Sequence, residues 1–254
     1  MAAEYSRHIN FEAVLNFRDL GGYRTHDGRQ VAWRRIFRSG DPQKMTVTDV
    51  KRIKEKLGIA TVINLRTLTE FEQRWEIDIL KEIGVRYYNI PFLPDNALFF
   101  KEEQELYSRA SNMGEVYLHR LWHKSYGKRV VESLEIIAES DNHPLMFHCG
   151  VGKDRTGILA AILLAAIGVA DEDIIEDYTL TAQFMIDIRN RVMNDPKTPE
   201  DIKNLPDFAW EAAPESMVVF LAGIRQEYGS VLEYVEKQGV DSSLCSHLEN
   251  ALLV

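Results

Sequence analysis

The chain contains the stretch PLMFHCGVGKDRTG, residues 144–157, in which a short apolar run passes directly into a glycine-spaced loop. Residues 145–147 have the pattern of a buried strand, and residues 158–167, which are nearly all apolar, have that of a buried helix. A helix N-terminus offers unpaired backbone N–H groups and the positive end of its dipole, and Gly150 and Gly152 allow successive amides to turn inward. The stretch therefore predicts a strand, a loop that cradles a tetrahedral anion such as phosphate, and a helix.

The cradle loop begins at Cys149 and ends at Arg155. A thiol is a nucleophile only as the thiolate, which a helix N-terminus and a nearby cation favour. The guanidinium of Arg155 can bind two phosphoryl oxygens at once. A buried, inert cysteine in a plain turn is the alternative, but strand, cysteine, glycines, arginine and helix follow one another in the order that the chemistry requires. We predict that phosphate is bound by Gly150, Val151, Gly152, Lys153, Asp154 and Arg155.

Two neighbours of the loop ends have predicted supporting roles. The hydroxyl of Thr156 is placed to hydrogen-bond the sulfur of Cys149 and to ease its departure from phosphorus. His148 precedes the cysteine, so it can brace the loop or add a positive field.

The segment HCGVGKDRTG resembles the active-site signature of the cysteine-dependent protein tyrosine phosphatases, and its Lys-Asp pair resembles the mainly bacterial family with an H-C-x-x-G-K-D-R-T-G loop. That family includes dual-specificity and phosphoinositide-hydrolysing enzymes. The spacing C-x5-R differs from the C-x4-R of sulfurtransferases, and the central position of the loop differs from that in the low-molecular-weight tyrosine phosphatases. Nearly the whole chain shares the resemblance, through residues 16–22, 36–39, 64–66 and 91–95. It implies phosphomonoester hydrolysis through a cysteinyl phosphate, with inorganic phosphate as product and no cofactor.

Asp95 is the hypothesis for the general acid. It follows Pro94 in a loop predicted to leave the carboxyl end of a strand, and the matching loop of the resembled family carries an aspartate. A carboxylic acid in a movable loop can give the leaving oxygen its proton. Two alternatives stay open: Asp95 is the N-cap of the helix that starts near Leu98, or Asp154, inside the cradle, is the acid or supports the loop.

The pattern of apolar residues predicts an α/β fold, with a mostly parallel central sheet flanked by helices on both faces, as in protein tyrosine phosphatases. An early hairpin is expected around a turn at residues 26–28. The helices between residues 96 and 140 are interpreted as an inserted helical lid, with ordinary core packing as the alternative. Strands are also expected at 16–22, 33–38, 59–63 and 85–90. Helices are expected at 46–57, 69–83, 98–139 and 214–228, and a long helix starts at 171 and runs past 191 to a break at 195–196. An irregular stretch follows up to 214, and the chain ends with a capping box at Ser230 and Glu233 and a C-terminal helix.

Composition limits the classes of function. The 254 residues, of which 45% are hydrophobic, are enough for one phosphatase domain over residues 1–254. The 39 acidic against 30 basic residues disfavour a sequence-independent nucleic-acid surface. The two cysteines, Cys149 and Cys245, indicate no disulfide framework. His119 and His123 lack the glutamate of an H-E-x-x-H zinc site, so no metal is expected.

Localisation is predicted from what the sequence lacks. No stretch reaches the ~20 apolar residues of a membrane span. Residues 1–8 have no apolar signal core. We expect a cytoplasmic protein, and secretion without a signal peptide is compatible with the resembled family.

Charged residues bear on the substrate. Arg18, Arg34, Arg35 and Arg38 form either a basic rim or solvated and ion-paired side chains, and we favour the second interpretation. Phosphotyrosine proteins are the first substrate hypothesis. Dual-specificity or phosphoinositide hydrolysis is the alternative, because Lys153 would put a charge where a second phosphate binds. A phosphoprotein-binding module without turnover is disfavoured because the candidate catalytic residues are all intact.

Overall fold

A sheet of five strands forms the centre of the computed structural model, which describes residues 5–70, 75–94, 97–196, 198–241 and 243–254. The spatial order is β1-β2-β5-β3-β4. β1 pairs antiparallel with β2, and the other three pairings are parallel, which confirms the predicted mostly parallel sheet. The strands are β1 (Arg18–Asp19), β2 (Ile36–Ser39), β3 (Thr61–Asn64), β4 (Arg86–Asn89) and β5 (Leu145–His148).

Helices fill most of the remaining described chain. Two short 3-10 turns cover Ser140–Asn142 and Asp207–Trp210, and a π-helical turn, Arg52–Leu57, continues the first helix. The α-helices are α1 (Val47–Lys51), α2 (Trp75–Glu82), α3 (Ala97–Tyr107), α4 (Met113–Trp122), α5 (Lys124–Ala138), α6 (Asp154–Ala166), α7 (Asp171–Thr179), α8 (Ala182–Asn194), α9 (Glu200–Lys203), α10 (Pro214–Tyr228), α11 (Val231–Lys237) and α12 (Ser243–Leu252).

Side chains of the strands alternate between two hydrophobic clusters, one on each face of the sheet. Leu145 and Phe147 belong to the larger cluster, together with the apolar residues of α4 to α6 and α10 to α12. Met146, between them, belongs to the smaller cluster with Ile53 and Leu80. The predicted placement of helices on both faces is therefore confirmed, and α6 is buried nearly throughout because it has no polar face.

The parallel register brings four chain segments to one edge of the sheet. Ser39 and Asn64 both lie opposite His148, and Asn89 lies opposite Asn64. These four residues end their strands, so the segments that follow them converge outside the carboxyl ends. The cradle loop, which follows His148, therefore has three other loops around it.

The predicted helical stretch 98–139 is present as α3, α4 and α5, with the expected break at 108–112 and a second, unpredicted break at His123. Asn112 caps α4, because its side chain accepts from the amide of Gly114 at 2.9 Å. α4 packs on α10 and α5 packs on α12, so both belong to the core, as the alternative interpretation proposed. α3 differs because its Phe100 and Tyr107 line a pocket that also contains residues of the cradle loop. A lid role therefore stays a prediction for α3.

The early hairpin is confirmed by the antiparallel pairing of β1 with β2 and by the turn at residues 26–28, in which Gly28 has φ +90°. The predicted second strand starts later than expected, at Ile36. Trp33 and Arg34 form a turn instead, and Arg34 has φ +61°. The carboxylate of Asp19 holds this turn because it accepts from the Arg34 amide at 2.8 Å.

The features predicted at the helix ends agree with the structure only in part. The helix that Thr46 caps ends at Gly58 with φ +65°, as predicted, but Val47 is 75% exposed and not part of its buried face. At Ser230 only the N-cap half of the predicted capping box is seen among the described residues: the Ser230 hydroxyl accepts from the Glu233 amide at 3.0 Å.

Three other expectations along the chain have mixed outcomes. The long helix predicted from 171 to the break at 195–196 ends as expected, at Asn194, but it is divided into α7 and α8, where the hydroxyl of Thr181 accepts from Arg18 at 3.2 Å. The stretch predicted to be irregular contains α9 and a 3-10 turn. The predicted capping box at Thr69 requires Glu72, which lies outside the described residues.

Candidate active site

The cradle loop, residues 149–155, joins β5 to α6 as predicted. Its carbonyl groups are bound on the outer side: Gly150 O accepts from the Asp41 amide at 2.9 Å, and Asn16 Nδ2 donates to Val151 O at 3.1 Å and Gly152 O at 3.0 Å. In a trans peptide the next N–H points opposite to the carbonyl, so the amides of 151–153 face inward. One of these amides, that of Gly152, donates to Cys149 Sγ at 3.3 Å.

The two glycines of the loop differ in what they permit. Gly152 has φ +72°, and a Cβ there would lie 2.6 Å from the backbone of Ser39 and Gly40. Gly150 has ordinary φ, and a Cβ there would meet nothing within 4 Å. Close packing against the end of β2 therefore requires glycine at position 152, whereas position 150 has room for a side chain.

Arg155 is held by a carboxylate that the sequence analysis did not identify. Its Nη1 and Nη2 lie 2.5 and 2.6 Å from the two carboxylate oxygens of Glu70. Burial acts to raise the pKa of Glu70, but the Arg155 guanidinium and hydrogen bonds from Thr67 lower it to about 2. Glu70 follows β3 in the loop after Asn64, and this position at the carboxyl edge was the signal that could have pointed to it.

Four buried residues beneath the loop form what we call the support cluster: Asn16, Arg18, Arg38 and Asp177. Arg38 Nη2 donates to Gly152 O at 2.8 Å, and its Nη1 lies 2.5 Å from the Asp177 carboxylate. Arg18 Nε donates to the same carboxylate at 2.9 Å, and Arg18 also donates to Asn16 Oδ1. The support cluster thus fixes the outer side of the loop.

The ion-paired interpretation of the early arginines is correct for Arg18 and Arg38, each 1% exposed. Arg34 and Arg35 are exposed to solvent. Burial acts to raise the pKa of Asp177, but its two arginine partners lower it to about 2. Asp177 is therefore ionised at neutral pH and balances one of the two buried positive charges.

Lys153 does not lie at the open edge of the cradle, where the sequence analysis expected it. Its side chain is 1% exposed, and Nζ donates to the carbonyls of Ala209 at 2.5 Å and Glu211 at 3.1 Å. Side-chain direction, which adjacency in sequence does not reveal, turns the ammonium toward this segment. The expected contact with a second phosphate is not supported, and Lys153 instead ties the loop to the pocket wall.

Asp154 lines the pocket, with its side chain 23% exposed. Tyr117 donates its hydroxyl hydrogen to Asp154 Oδ1 at 2.8 Å. Burial would raise the pKa of Asp154, but Lys153, Arg120, the Tyr117 hydrogen bond and Arg155 together lower it. The carboxyl group is therefore ionised in the ligand-free protein, which suits loop support better than proton donation.

The two supporting residues of the loop behave differently from one another. Burial lowers the pKa of His148 well below its ordinary value, so the neutral ring adds no positive field. Its Nδ1 lies 3.3 Å from the carbonyl of Cys149, which agrees with the bracing role. The hydroxyl of Thr156 is buried and has no hydrogen-bond partner among the described residues, so the expected bond to the sulfur is not formed here.

A pocket of about 1030 Å³ opens above the cradle, with Cys149 and Arg155 at its base. Cys149 is 1% exposed to solvent. The acid candidate Asp95 lies outside the described residues, which resume at Ala97. The walls include apolar and aromatic side chains from several elements, namely Leu93, Phe100, Tyr107, Val192, Leu205 and Trp210.

Within the described ranges, no group of three or more histidine, cysteine, aspartate or glutamate side chains is arranged to hold a metal ion. None of the helices in that part of the chain has the length and apolar character needed to cross a membrane.

Two curated proteins are similar to this chain in sequence. A Cupriavidus necator protein, named provisionally as a tyrosine-protein phosphatase, is 32% identical over 185 residues, covering 70% of this chain and 64% of the relative. A tyrosine-protein phosphatase of Nostoc commune is 27% identical, covering 58% and 48%. The chain thus spans about half to two thirds of the length of these curated relatives.

Among solved structures, the core catalytic domain of the PP-IP phosphatase SIW14 from S. cerevisiae is similar with 19% identity and a TM-score of 0.41. That match covers 69% of this chain and 83% of the SIW14 domain. The model of the tyrosine phosphatase family matches residues 9–254, nearly the full sequence. On that match, the chain belongs to the tyrosine phosphatase family.

Proposed function

We propose that this protein is a cysteine-dependent phosphomonoesterase that hydrolyses phosphotyrosine in proteins. One observation carries the proposal: Cys149 Sγ accepts the Gly152 amide at 3.3 Å inside a ring of inward-facing amides, next to Arg155 at the base of a pocket. Backbone donors fixed in advance stabilise the charge that develops on the phosphoryl oxygens. Such an arrangement supports nucleophilic attack on phosphorus.

The first chemical step follows from these positions. The thiolate of Cys149 attacks phosphorus, and the bond to the leaving oxygen breaks with its electron pair staying on that oxygen. The inward amides and Arg155 bind the equatorial oxygens, which is the positioning and charge stabilisation that phosphoryl transfer requires. We assign the proton for the leaving oxygen to Asp95, because Asp154 is held in the ionised form.

The depth of Cys149 in the pocket and the side chains that line the pocket both favour phosphotyrosine among the possible substrates. Because Cys149 is 1% exposed at the base of the pocket, the phosphorylated group has to reach in from the surface, which a tyrosine side chain does better than serine. The aromatic rings of Phe100, Tyr107 and Trp210 line the path and can pack on a phenyl ring. The exposed carboxylates of Asp195 and Asp201 also line it and disfavour a lipid headgroup with several phosphates.

The test is a panel of phosphotyrosine peptides, phosphoserine peptides and phosphoinositides, assayed by phosphate release in metal-free buffer. We expect the highest kcat/KM with phosphotyrosine, and rapid quenching followed by mass spectrometry should detect phosphate on Cys149. Cys149→Ser should bind phosphate without turnover, whereas Cys245→Ser, a matched change at a half-buried cysteine in α12, should be as active as wild type. Turnover by Cys149→Ser would overturn the mechanism, and preference for phosphoinositides would overturn the substrate assignment.

The same assay tests the acid. A phenol leaving group with a pKa of about 10 needs a proton far more than an activated nitrophenol does. Asp95→Asn should therefore slow phosphotyrosine hydrolysis by roughly 10²–10⁴-fold and an activated ester far less. If Asp154→Asn shows this dependence on the leaving group and Asp95→Asn does not, Asp154 is the acid and Asp95 a helix cap.

A further inference from the structure

The pocket above the cradle has room for more than one phosphotyrosine side chain. Its volume is about 1030 Å³. Pockets that enclose whole drug-sized molecules measure about 300–1,000 Å³, and a single phosphorylated phenol is smaller than such a molecule. With the phosphoryl group in the cradle and the ring above it, part of the pocket is left for another side chain of the same substrate.

Helix α3 extends along this remaining part, from its buried end to its mouth. At the buried end, the Tyr107 hydroxyl accepts from Arg120 Nη2 at 3.2 Å, and the Tyr107 ring stacks on that of Phe208 with 6.2 Å between centroids. One turn earlier in α3, Gln104 Nε2 donates to Asp201 Oδ2 of α9 at 3.1 Å. Because Gln104 and Asp201 are both exposed, α3 and α9 meet at the mouth of the pocket.

Four residues at this mouth form what we call the outer subsite: Phe100, Gln104, Asp201 and Ile202. All four line the pocket, and the two apolar side chains are 39% and 38% exposed. Phe100 and Gln104 share one face of α3 because they are four residues apart, and Ile202 follows Asp201 in α9. The outer subsite therefore presents two large apolar surfaces beside one carboxylate.

Most positive charges of the pocket are already matched. Among the described residues that line it, six carry a carboxylate and five carry a cationic group. Four of the cations have a carboxylate partner, namely Arg66 with Asp41, Arg120 with Glu103, Lys153 with Asp154, and Arg155 with Glu70. The fifth, Lys44, lies in the loop after β2. Asp201 differs from the paired carboxylates because its contact with Gln104 is to a neutral amide.

A bound phosphoryl group makes the pocket more negative. It brings a charge of about −1.5 to −2 at neutral pH, and the whole chain already has a formal net charge of −9. A substrate that also carries a cation is therefore favoured over one that carries a second anion.

A long cationic side chain matches the chemistry of the outer subsite. Arginine and lysine lay their methylene stems on apolar surface and keep the charged end at a polar group. The stem would pack on Phe100 and Ile202, and the cation would bind the Asp201 carboxylate through charge-assisted hydrogen bonds. The Gln104 amide would give up its bond to Asp201, and its own oxygen can accept from the cation.

We propose that the outer subsite binds an arginine or lysine side chain close in sequence to the phosphotyrosine of the substrate, with Asp201 accepting its charge. The inference rests on the proposed phosphotyrosine phosphatase function and narrows it to one class of peptide. Asp201 is then a specificity-determining residue that acts on substrate binding, so its effect falls on KM more than on kcat.

The test uses phosphotyrosine peptides in which one neighbouring position carries arginine, its neutral isostere citrulline, leucine or glutamate. That position is scanned on both sides of the phosphotyrosine, and kcat/KM is measured by phosphate release. At its best position, arginine should exceed citrulline by about fivefold, mostly through KM, and added salt should reduce this advantage, as for a partly exposed ion pair. Equal values for arginine and citrulline at every position, or a preference for leucine or glutamate, would overturn the proposal.

Asp201→Asn tests whether the effect arises at the outer subsite, because asparagine keeps an oxygen for the Gln104 amide and loses the charge. The advantage of arginine should fall to less than about twofold in this variant. Glu200→Gln is the matched control, since it removes a charge from the preceding residue of α9, whose side chain is 79% exposed and does not line the pocket. The advantage should persist there, and its persistence in Asp201→Asn as well would overturn the assignment.

The same measurements separate this inference from the proposed function. If the wild-type enzyme hydrolyses all the phosphotyrosine peptides equally well, only the inference fails. If it releases phosphate from none of them, the proposed function fails and the inference falls with it.

Discussion

Two arginines beside the same loop each bind a carboxylate, and the two pairs differ mainly in burial. Arg38 and Asp177 lie 2.5 Å apart with side chains 1% and 2% exposed. Arg155 and Glu70 are equally close, at 2.5 Å, but 11% and 35% exposed. The first pair touches the outer side of the cradle and the second faces the pocket. One chemical pairing therefore occurs in a closed and in an open setting.

The comparison shows that solvent exposure of the side chains, more than the distance between them, distinguishes a structural ion pair from one that can bind a ligand. A buried arginine without its carboxylate leaves an uncompensated charge, so the pair under the loop is permanent. A partly exposed pair loses little when water or another anion replaces one partner. Arg155 can therefore turn from Glu70 toward a phosphoryl group, while Arg38 keeps the loop in place.

The largest effect should come from the open pair. Arg155→Lys keeps the charge but loses the planar fork, so kcat/KM for phosphotyrosine peptides should fall by about 10³-fold or more, since a transition-state arginine contributes on this scale. The free energy of unfolding, measured by urea titration, should stay within about 1 kcal/mol of wild type. A loss of activity below tenfold would show that the amides alone hold the phosphoryl group.

The closed pair should show the reverse pattern. Asp177→Ala leaves Arg18 and Arg38 buried without a counter-charge and should lower the free energy of unfolding by about 3–5 kcal/mol. Asp171→Ala, which breaks the exposed pair with Arg225, should cost less than about 1 kcal/mol. Equal losses in the two variants would contradict the contrast between buried and exposed pairs.

Acid should weaken the closed pair in a defined window. The pKa of Asp177 is lowered to about 2 from an ordinary value of 3.8, so the unfolded chain binds its proton first as pH falls. The contribution of Asp177 is therefore complete above pH 4 and is lost as pH falls toward 2. Asp177→Asn should flatten this part of the pH dependence of stability.

The smallest effect concerns Glu70 as a competitor for Arg155. Because its pKa is about 2, Glu70 is charged in any neutral assay and opposes an incoming anion. Glu70→Gln should lower the inhibition constant of inorganic phosphate by about fivefold, equivalent to about 1 kcal/mol, while Glu132→Gln at a surface pair with Arg129 should not change it. A higher constant for Glu70→Gln would mean that Glu70 orients the guanidinium more than it competes with phosphate.

The sequence predicted well what a contiguous segment encodes. Cys149, Arg155 and the strand–loop–helix unit lie within a few residues of one another, and the glycines and apolar runs constrain that backbone locally. Lys153 was placed wrongly because the side of the loop from which a side chain leaves depends on the tertiary fold. The assignment of Asp95 rests on the sequence and on the resemblance, and it stays a prediction.

Partners distant in sequence could not be predicted. Glu70 reaches Arg155 across 85 residues, Asp177 reaches Arg38 across 139, and Tyr117 reaches Asp154 across 37. Each of these residues occurs in a segment with an ordinary helix or loop pattern. Their roles arise because parallel strands and packed helices bring the segments together, which no local pattern specifies.

The contacts of Lys153 link the cradle loop to a tryptophan whose fluorescence can be measured. Its ammonium holds the carbonyls of Ala209 and Glu211, and the indole between them, Trp210, lines the pocket. A change in the cradle therefore passes to a fluorophore through a single side chain. In a variant whose other tryptophans are replaced by phenylalanine, the emission of Trp210 would report phosphate entering the cradle, without a label or a chromogenic substrate.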